Sequence, residues 1–178
     1  MESGVFHLEA EISWDAVASQ LAIIREMDAK PDLSEITVHV SGIGGAILAA
    51  SAIADALLTC TKPVRTVGSG YIASSAVLVL AAGTRGSRMV SPNAMLMLHV
   101  PRVPRPDAEM LTLRELTRFV TSMERKVAHY YAQLSLLTGQ DSTFWPHRLS
   151  NGEDLFMTPE EAIGLGLADA VLTPVCRP

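Results

Sequence analysis

Two adjacent serines interrupt an apolar run near the middle of the chain, where hydroxyl groups either cap a helix or supply a nucleophile. The run is GYIASSAVLVLAAG, residues 70–83, and the serines are Ser74 and Ser75. A serine at the start of a helix has a backbone N–H group beside it, and the helix N-terminus favours a developing negative charge. Ser74 is therefore a candidate nucleophile, with simple helix capping as the alternative.

A histidine and an acid elsewhere in the chain are of the types that would activate such a serine. His99 ends the apolar segment AMLMLH, so its ring is expected at a strand end rather than inside the core. Asp154 precedes a Phe-Met pair that we expect to be buried. Histidine serves as a general base, and an acid can fix its tautomer. A histidine at the core edge and an ordinary loop acid are the alternatives.

Two strand-to-helix turns are built alike, and one of them holds the serines. They read VHVSGIGGA, residues 38–46, and TVGSGYIASSA, residues 66–76. Ligands gather at the carboxyl ends of strands in parallel sheets, where such turns lie. Gly44 and Gly45 would let the backbone approach a substrate closely and present its N–H groups. Ordinary turn chemistry remains the alternative for the two glycines.

Strand and helix signals alternate along the chain and predict the elements that position these residues. This alternation implies an α/β domain with a largely parallel sheet and helices outside it. We expect one domain over residues 1–178. Strands are expected over 5–12, 35–40, 64–69, twice within 87–100, and at the end of 158–172; helices are expected over 14–29, 46–59, the 70–83 run, 107–139 and the start of 158–172.

Composition excludes several classes of function. The 178 residues carry 14 Lys and Arg against 19 Asp and Glu, a net charge of −5, and no basic run, which argues against nucleic-acid binding. Cys60 and Cys176 have neither disulfide nor metal-ligand spacing, so we expect a reducing compartment and no metal. No apolar run approaches membrane-spanning length and the N-terminus has no signal core, which predicts a cytoplasmic protein without membrane contact.

Four segments of the chain, in order, resemble motifs of the ClpP family, the proteolytic subunits of the Clp protease. SGIGGAILAASAIADAL is similar to its Ser-Pro-Gly-Gly segment and the helix that follows, and GYIASSAVLVLAAG to its nucleophile segment. SPNAMLMLHVP is similar to its histidine motif, and EDLFMTPEEAIGLGLADAVL to its closing motif. The resemblance covers most of the chain.

The resemblance implies a role for each candidate residue. It makes Ser74 the nucleophile, His99 the general base and Asp154 the acid of a catalytic triad. The backbone N–H groups of Gly45 and Ser75 would form the oxyanion hole. Substrate would be bound at three further positions, which are Gly44, Val100 and Pro101.

The resemblance also implies the architecture and the partners. The fold would be the ClpP/crotonase type, a repeated ββα superhelix with a long protruding handle helix within residues 100–139. The protein would be a serine endopeptidase that cleaves peptides or unfolded proteins inside a homo-oligomer of heptameric rings. It would need no cofactor, and ATP would enter only through a separate AAA+ ATPase.

The chain departs from the family pattern in ways that bear on assembly. Gly42-Ile43 replaces Ser-Pro, RVPRPD at residues 102–107 replaces a glycine-rich segment, and Leu155 replaces an arginine. Prolines cannot donate backbone hydrogen bonds, so pairing with substrate and with a second ring is expected to weaken. The chain begins almost at its first strand, which predicts the loss of the axial gate. We therefore expect cleavage of short peptides without ATP or a partner.

Three other interpretations of the sequence remain. The first is a related peptidase, either of the phage head-maturation type or a signal-peptide-peptidase-like enzyme with a Ser–Lys dyad. Lys30, Lys62 and Lys126 all lie outside motifs that could place a lysine beside Ser74. The second is a crotonase-type acyl-CoA enzyme, which has no use for a Ser–His–Asp set. The third is a catalytically silent subunit of a ClpP-like assembly.

Overall fold

Strands and helices alternate through the residues described by the structure, a computed structural model, which are 4–102 and 110–174. The strands are β1 (Val5–Leu8), β2 (Ile36–Gly42), β3 (Val64–Ala73), β4 (Arg88–Val90), β5 (Met95–Leu98), β6 (Leu155–Met157) and β7 (Ala170–Val171). The helices are α1 (Trp14–Ala29), α2 (Ile47–Leu58), α3 (Ser75–Ala81), α4 (Leu113–Thr138), α5 (Phe144–Arg148) and α6 (Pro159–Gly164).

The sheet has the order β1-β2-β3-β4-β7, and each neighbouring pair in it is parallel. Strand β3 is long enough to pair with two strands in succession. Its residues 66–68 pair with β4, and its residues 71–73 pair with β5. Strand β6 then pairs with β5 in the antiparallel direction. The predicted α/β fold with a largely parallel sheet is confirmed, and β3 carries the chain directly to Ser74.

Small and branched apolar side chains build the core around this strand. Ile36, Val38 and Val40 of β2 are fully buried, and every residue of α3 is buried. A helix that is apolar on all sides is stable only inside a core. Each fully buried Val, Leu or Ile contributes about 1.5–3 kcal/mol, so the core holds the start of α3 rigidly.

The long helix α4 begins later than predicted. The expected helix covered 107–139, but residues 110–112 are not helical and residues 107–109 lie outside the described part of the chain. Thr112 explains the start, because its hydroxyl accepts the Glu115 N–H at 3.3 Å while the Glu115 carboxylate accepts the Thr112 N–H at 2.9 Å. The predicted end is confirmed, since Gly139 caps the helix with φ 74°.

Three further predictions needed correction. The strand expected over 5–12 ends at Leu8. The apolar run 70–83 begins as the end of β3, and only its second part is helical, because residues 71–73 pair with β5. The Phe-Met pair after Asp154 is not buried as a unit: Phe156 is 54% exposed and Met157 is 2% exposed. The two lie on β6, where successive side chains point to opposite faces.

An ion pair between the buried Arg88 and the half-buried Asp169 fastens the C-terminal end of α4 to the sheet. The Arg88 guanidinium lies 2.6 Å from the Asp169 carboxylate and donates to the carbonyls of Leu137 at 3.1 Å and Gly166 at 2.8 Å. Burial pushes the pKa of Asp169 up, but the hydrogen bonds and charge of Arg88 outweigh it and hold that pKa below its usual range. This pair fixes the helix that reaches back to Ser74.

Candidate active site

Ser74 stands on a sharp turn between β3 and α3. Its backbone has φ 54° and ψ −126°, and among the described non-glycine residues Ser74 alone has a positive φ. The Ser74 N–H donates to the Met97 carbonyl at 2.7 Å, and the Ser74 carbonyl accepts the Val77 N–H at 3.1 Å. Such strain persists only where the surrounding structure enforces it, and it is typical of functional sites. A strained strand–turn–helix is how a nucleophile elbow exposes its serine.

Gly44 lies directly against this turn. A Cβ atom at Gly44 would stand 2.5 Å from the Ala73 carbonyl oxygen and 2.8 Å from the Ser75 nitrogen. Its φ of 82° is also one that other residues rarely adopt. Only glycine therefore allows the loop after β2 to pass so close to the turn that holds Ser74.

Gly45, the next residue, is fixed between the N-terminal segment and the start of α3. Ile12 donates to the Gly44 carbonyl at 2.8 Å and accepts the Ala46 N–H at 2.8 Å, so the loop is tied on both sides of Gly45. The buried Ser75 hydroxyl donates to the Gly45 carbonyl at 3.2 Å. The two residues predicted to supply the oxyanion hole are thus neighbours in the structure.

His99 follows β5 and is half-buried. Its Nδ1 lies 2.6 Å from the carbonyl oxygen of Val100. A carbonyl only accepts hydrogen bonds, so Nδ1 must carry the proton in this contact. In the neutral ring this leaves the lone pair on Nε2, which is the tautomer that a general base for a serine requires.

Asp154 lies at the same end of the β5–β6 ladder as His99, and its carboxylate contacts another residue. In the antiparallel ladder Leu98 pairs with Leu155, and His99 and Asp154 are the next residues beyond this last pair. The Asp154 carboxylate lies 3.6 Å from the Arg102 guanidinium, whereas the His99 Nδ1 contacts the Val100 carbonyl.

A cavity of 230 Å³ is lined by half of the eight predicted site residues. Four of the predicted site residues line it, namely Ser74, His99, Gly45 and Pro101. Gly44 and Ser75 are buried beside it, whereas Val100 and Asp154 lie outside its lining.

The lining also contains five residues that the sequence reasoning did not name as site residues, which are Glu11, Ile43, Ile47, Arg102 and Tyr130. Arg102 was noted only as part of a proline-rich segment. Tyr130 stands 56 positions from Ser74, and no local pattern marks it.

The described residues show neither a cluster of His, Cys, Asp and Glu that could hold a metal ion nor a helix long and apolar enough to cross a membrane.

The family model of the Clp protease matches residues 1–175. The chain belongs to the Clp protease family. It is 32% identical over 168 residues to the ATP-dependent Clp protease proteolytic subunit 1 of Mycolicibacterium paratuberculosis, covering 91% of this chain and 74% of the relative. It is 32% identical over 168 residues to subunit 2 of Mycobacterium bovis, covering 91% and 72%. For subunit 2 of Streptomyces coelicolor the identity is 30% over 165 residues, covering 92% and 71%.

Membership of the Clp protease family confirms the resemblance seen in the four sequence motifs. The mixed α/β architecture with its parallel sheet is consistent with the Clp protease fold.

Proposed function

We propose that this Clp protease family member is a serine endopeptidase that hydrolyses peptide bonds through Ser74, His99 and Asp154. One observation carries the proposal: Ser74 sits on a strained elbow and shares a cavity with His99. The names of the relatives support it, since they are called proteolytic subunits of an ATP-dependent protease.

The proposed mechanism follows from the positions of the groups. The Ser74 oxygen attacks the scissile carbonyl while His99 Nε2 takes the proton of the Ser74 hydroxyl. The His99 imidazolium then donates that proton to the leaving amine. The N–H groups of Gly45 and Ser75 donate to the oxyanion of the tetrahedral intermediate. Ser75 is the first residue of α3, where a backbone N–H has no partner within the helix. Water then releases the acyl group by the same steps.

Asp154 would act by exchanging one partner for another. In the proposed active arrangement its carboxylate leaves Arg102 and accepts the Nδ1–H of His99, which in turn leaves the Val100 carbonyl. The Arg102 side chain is 80% exposed. An exposed ion pair contributes about 0–1 kcal/mol, so the loss of this pair opposes the exchange only weakly. A carboxylate would also stabilise the imidazolium better than a neutral carbonyl does.

The substrates would be peptides or unfolded proteins, bound in extended form by the backbone of Gly44, Val100 and Pro101. We propose that the protein assembles into a closed homo-oligomer, most simply of heptameric rings. The first half of α4 supports this, because it exposes apolar side chains at helical spacing, with Leu113 84% exposed and Leu116 44% exposed. No cofactor takes part in the proposed chemistry, and ATP would enter only through a separate AAA+ ATPase.

Labelling with a fluorophosphonate probe tests the proposal. The wild-type protein should be labelled, and Ser74→Ala should lose both labelling and peptide cleavage, on the order of 10⁶-fold if the triad acts as a unit. Ser75→Ala is the matched control and should keep most activity, because Ser75 contributes its backbone N–H. A folded but unlabelled wild type would favour the silent subunit. A labelled Ser74→Ala beside an inert Ser75→Ala would mean that Ser75 is the nucleophile.

A further inference from the structure

A buried tyrosine hydroxyl contacts the turn at Ser74 and has no part in the proposed mechanism. Tyr130 lies in the second half of α4, is 2% exposed and lines the cavity that holds Ser74. Its hydroxyl donates to the Ser74 carbonyl oxygen at 3.4 Å. Burial, with a smaller contribution from Tyr131, raises the pKa of Tyr130, so the hydroxyl keeps its proton and remains a donor.

The Ser74 carbonyl is one half of a rigid unit. Its other half is the N–H of Ser75, because the carbonyl of one residue and the N–H of the next lie in a single peptide plane. In a trans peptide the two groups point in opposite directions, and the described residues contain only trans peptides. Whatever fixes the direction of the Ser74 carbonyl therefore also fixes the direction of the Ser75 N–H.

Two donors hold that carbonyl. The Val77 N–H reaches it at 3.1 Å from within α3, and the Tyr130 hydroxyl reaches it at 3.4 Å from a different helix. A carbonyl oxygen has two lone pairs, and both are used here. The Val77 bond belongs to the local turn and moves with it. The Tyr130 bond ties the plane to α4, which the Arg88 ion pair fastens to the sheet.

We propose that Tyr130 is a positioning residue that holds the peptide plane between Ser74 and Ser75 and so aims the Ser75 N–H at the oxyanion of the substrate. This inference rests on the proposed function. It assigns to α4 a part in transition-state stabilisation, since the helix would set the direction of one oxyanion donor from outside the turn. Tyr130 itself need not touch the substrate.

The test compares Tyr130→Phe with Tyr131→Phe in the intact protein. Tyr131 is a matched control because it is the next residue, is also buried at 8% exposure, and has its ring 5.9 Å from that of Tyr130. The measurements are kcat and KM for a short fluorogenic peptide, the inhibition constant of a peptide aldehyde that forms a tetrahedral adduct, and the melting temperature.

Removal of an oxyanion-hole donor lowers kcat by about 10²–10³-fold. A donor that is present but points in the wrong direction should lower kcat by a smaller factor. We expect Tyr130→Phe to lower kcat about tenfold with KM little changed, and to weaken aldehyde binding by about the same factor. Tyr131→Phe should leave both within about twofold at a similar melting temperature. The joint loss of turnover and tetrahedral-adduct affinity is what a purely structural role would not produce.

The inference is overturned if Tyr130→Phe keeps wild-type kcat and aldehyde affinity, or if it changes KM alone. If Tyr130→Phe does not fold, Tyr130→Met removes the hydroxyl with a flexible side chain that fills irregular space, and the same loss is expected of it. An inactive, unlabelled wild type would instead overturn the proposed function. An active wild type with an unaffected Tyr130→Phe would overturn only this inference.

Discussion

Replacing Asp154 by asparagine separates two ways of orienting His99. The imidazole Nδ1 lies 2.6 Å from the Val100 carbonyl, whereas the Asp154 carboxylate lies 3.6 Å from Arg102. During catalysis the Nδ1–H of His99 donates either to the Asp154 carboxylate or, as in this structure, to the Val100 carbonyl. Both would select the same tautomer, but only the carboxylate adds a negative charge beside the imidazolium.

The expected magnitudes differ enough to decide between them. If the carboxylate orients His99, asparagine presents an N–H donor in its place, favours the wrong tautomer and lowers kcat by about 10⁴-fold. If the carbonyl is sufficient, Asp154→Asn loses little more than its exposed pair with Arg102. That pair is worth about 0–1 kcal/mol, which corresponds to less than about fivefold. We expect the larger loss, of thousands-fold.

The assay is kcat/KM for a short fluorogenic peptide near neutral pH, with circular dichroism to confirm the fold. Glu153→Gln is the matched control, because Glu153 is the adjacent acid and its carboxylate accepts from the Asn151 side chain at 2.8 Å. It should stay close to wild type. If Asp154→Asn retained activity within about tenfold of wild type, the carboxylate would have no orienting role and the Val100 carbonyl would take its place.

Two further changes test how the elbow and the fold are held. Asp169→Asn leaves Arg88, 5% exposed, without its carboxylate and should lower the free energy of unfolding by about 3–5 kcal/mol in urea at pH 7. Because the pKa of Asp169 is depressed in the fold, its contribution to the free energy of unfolding is complete above its ordinary pKa and is lost as the pH falls through the folded value. The variant should therefore lose less stability than the wild type between neutral and acid pH. An unchanged urea midpoint at pH 7 would contradict the argument. Gly44→Ala places a Cβ atom 2.5 Å from the Ala73 carbonyl and should slow fluorophosphonate labelling about 10²-fold. Gly86→Ala is the control, because Gly86 has a φ of 89° and open space around it, so an alanine there carries the same backbone strain without a clash. This variant should react with the fluorophosphonate at the wild-type rate. Equal labelling rates for the two variants would rule out the steric explanation.

Local signals were sufficient for much of the fold. Helix α1 occupies the predicted residues 14–29, and Gly139 ends α4 as expected. The run 70–83 was harder, because four apolar or small residues before Ser74 suit a strand as well as a helix. Pairing of residues 71–73 with β5 decides for the strand, and that pairing is tertiary. The start of α4 depended on whether Thr112 or an earlier residue caps the helix, and its capping box with Glu115 settles it.

In the candidate site, too, the local features could be predicted from the sequence and the tertiary contacts could not. The sequence motifs lead to Ser74 and Gly45, whose backbone conformations follow from the turns on which they lie. The partners of the side chains depend on distant elements and could not be predicted. Arg102 meets Asp154 only because β5 and β6 pair, and Tyr130 reaches the elbow only because α4 folds back over it.

The backbone of Ser74 sets stability and reactivity against each other at a single position. Glycine would adopt φ 54° without the steric cost that a Cβ atom brings, whereas serine keeps a strain of about 1–3 kcal/mol. The residue that the fold would prefer there is therefore one that has no nucleophile. Natural selection for stability alone would drive this codon toward glycine. Serine at this position makes the fold less stable than glycine would, and such a loss of stability is expected where a protein keeps a reactive group.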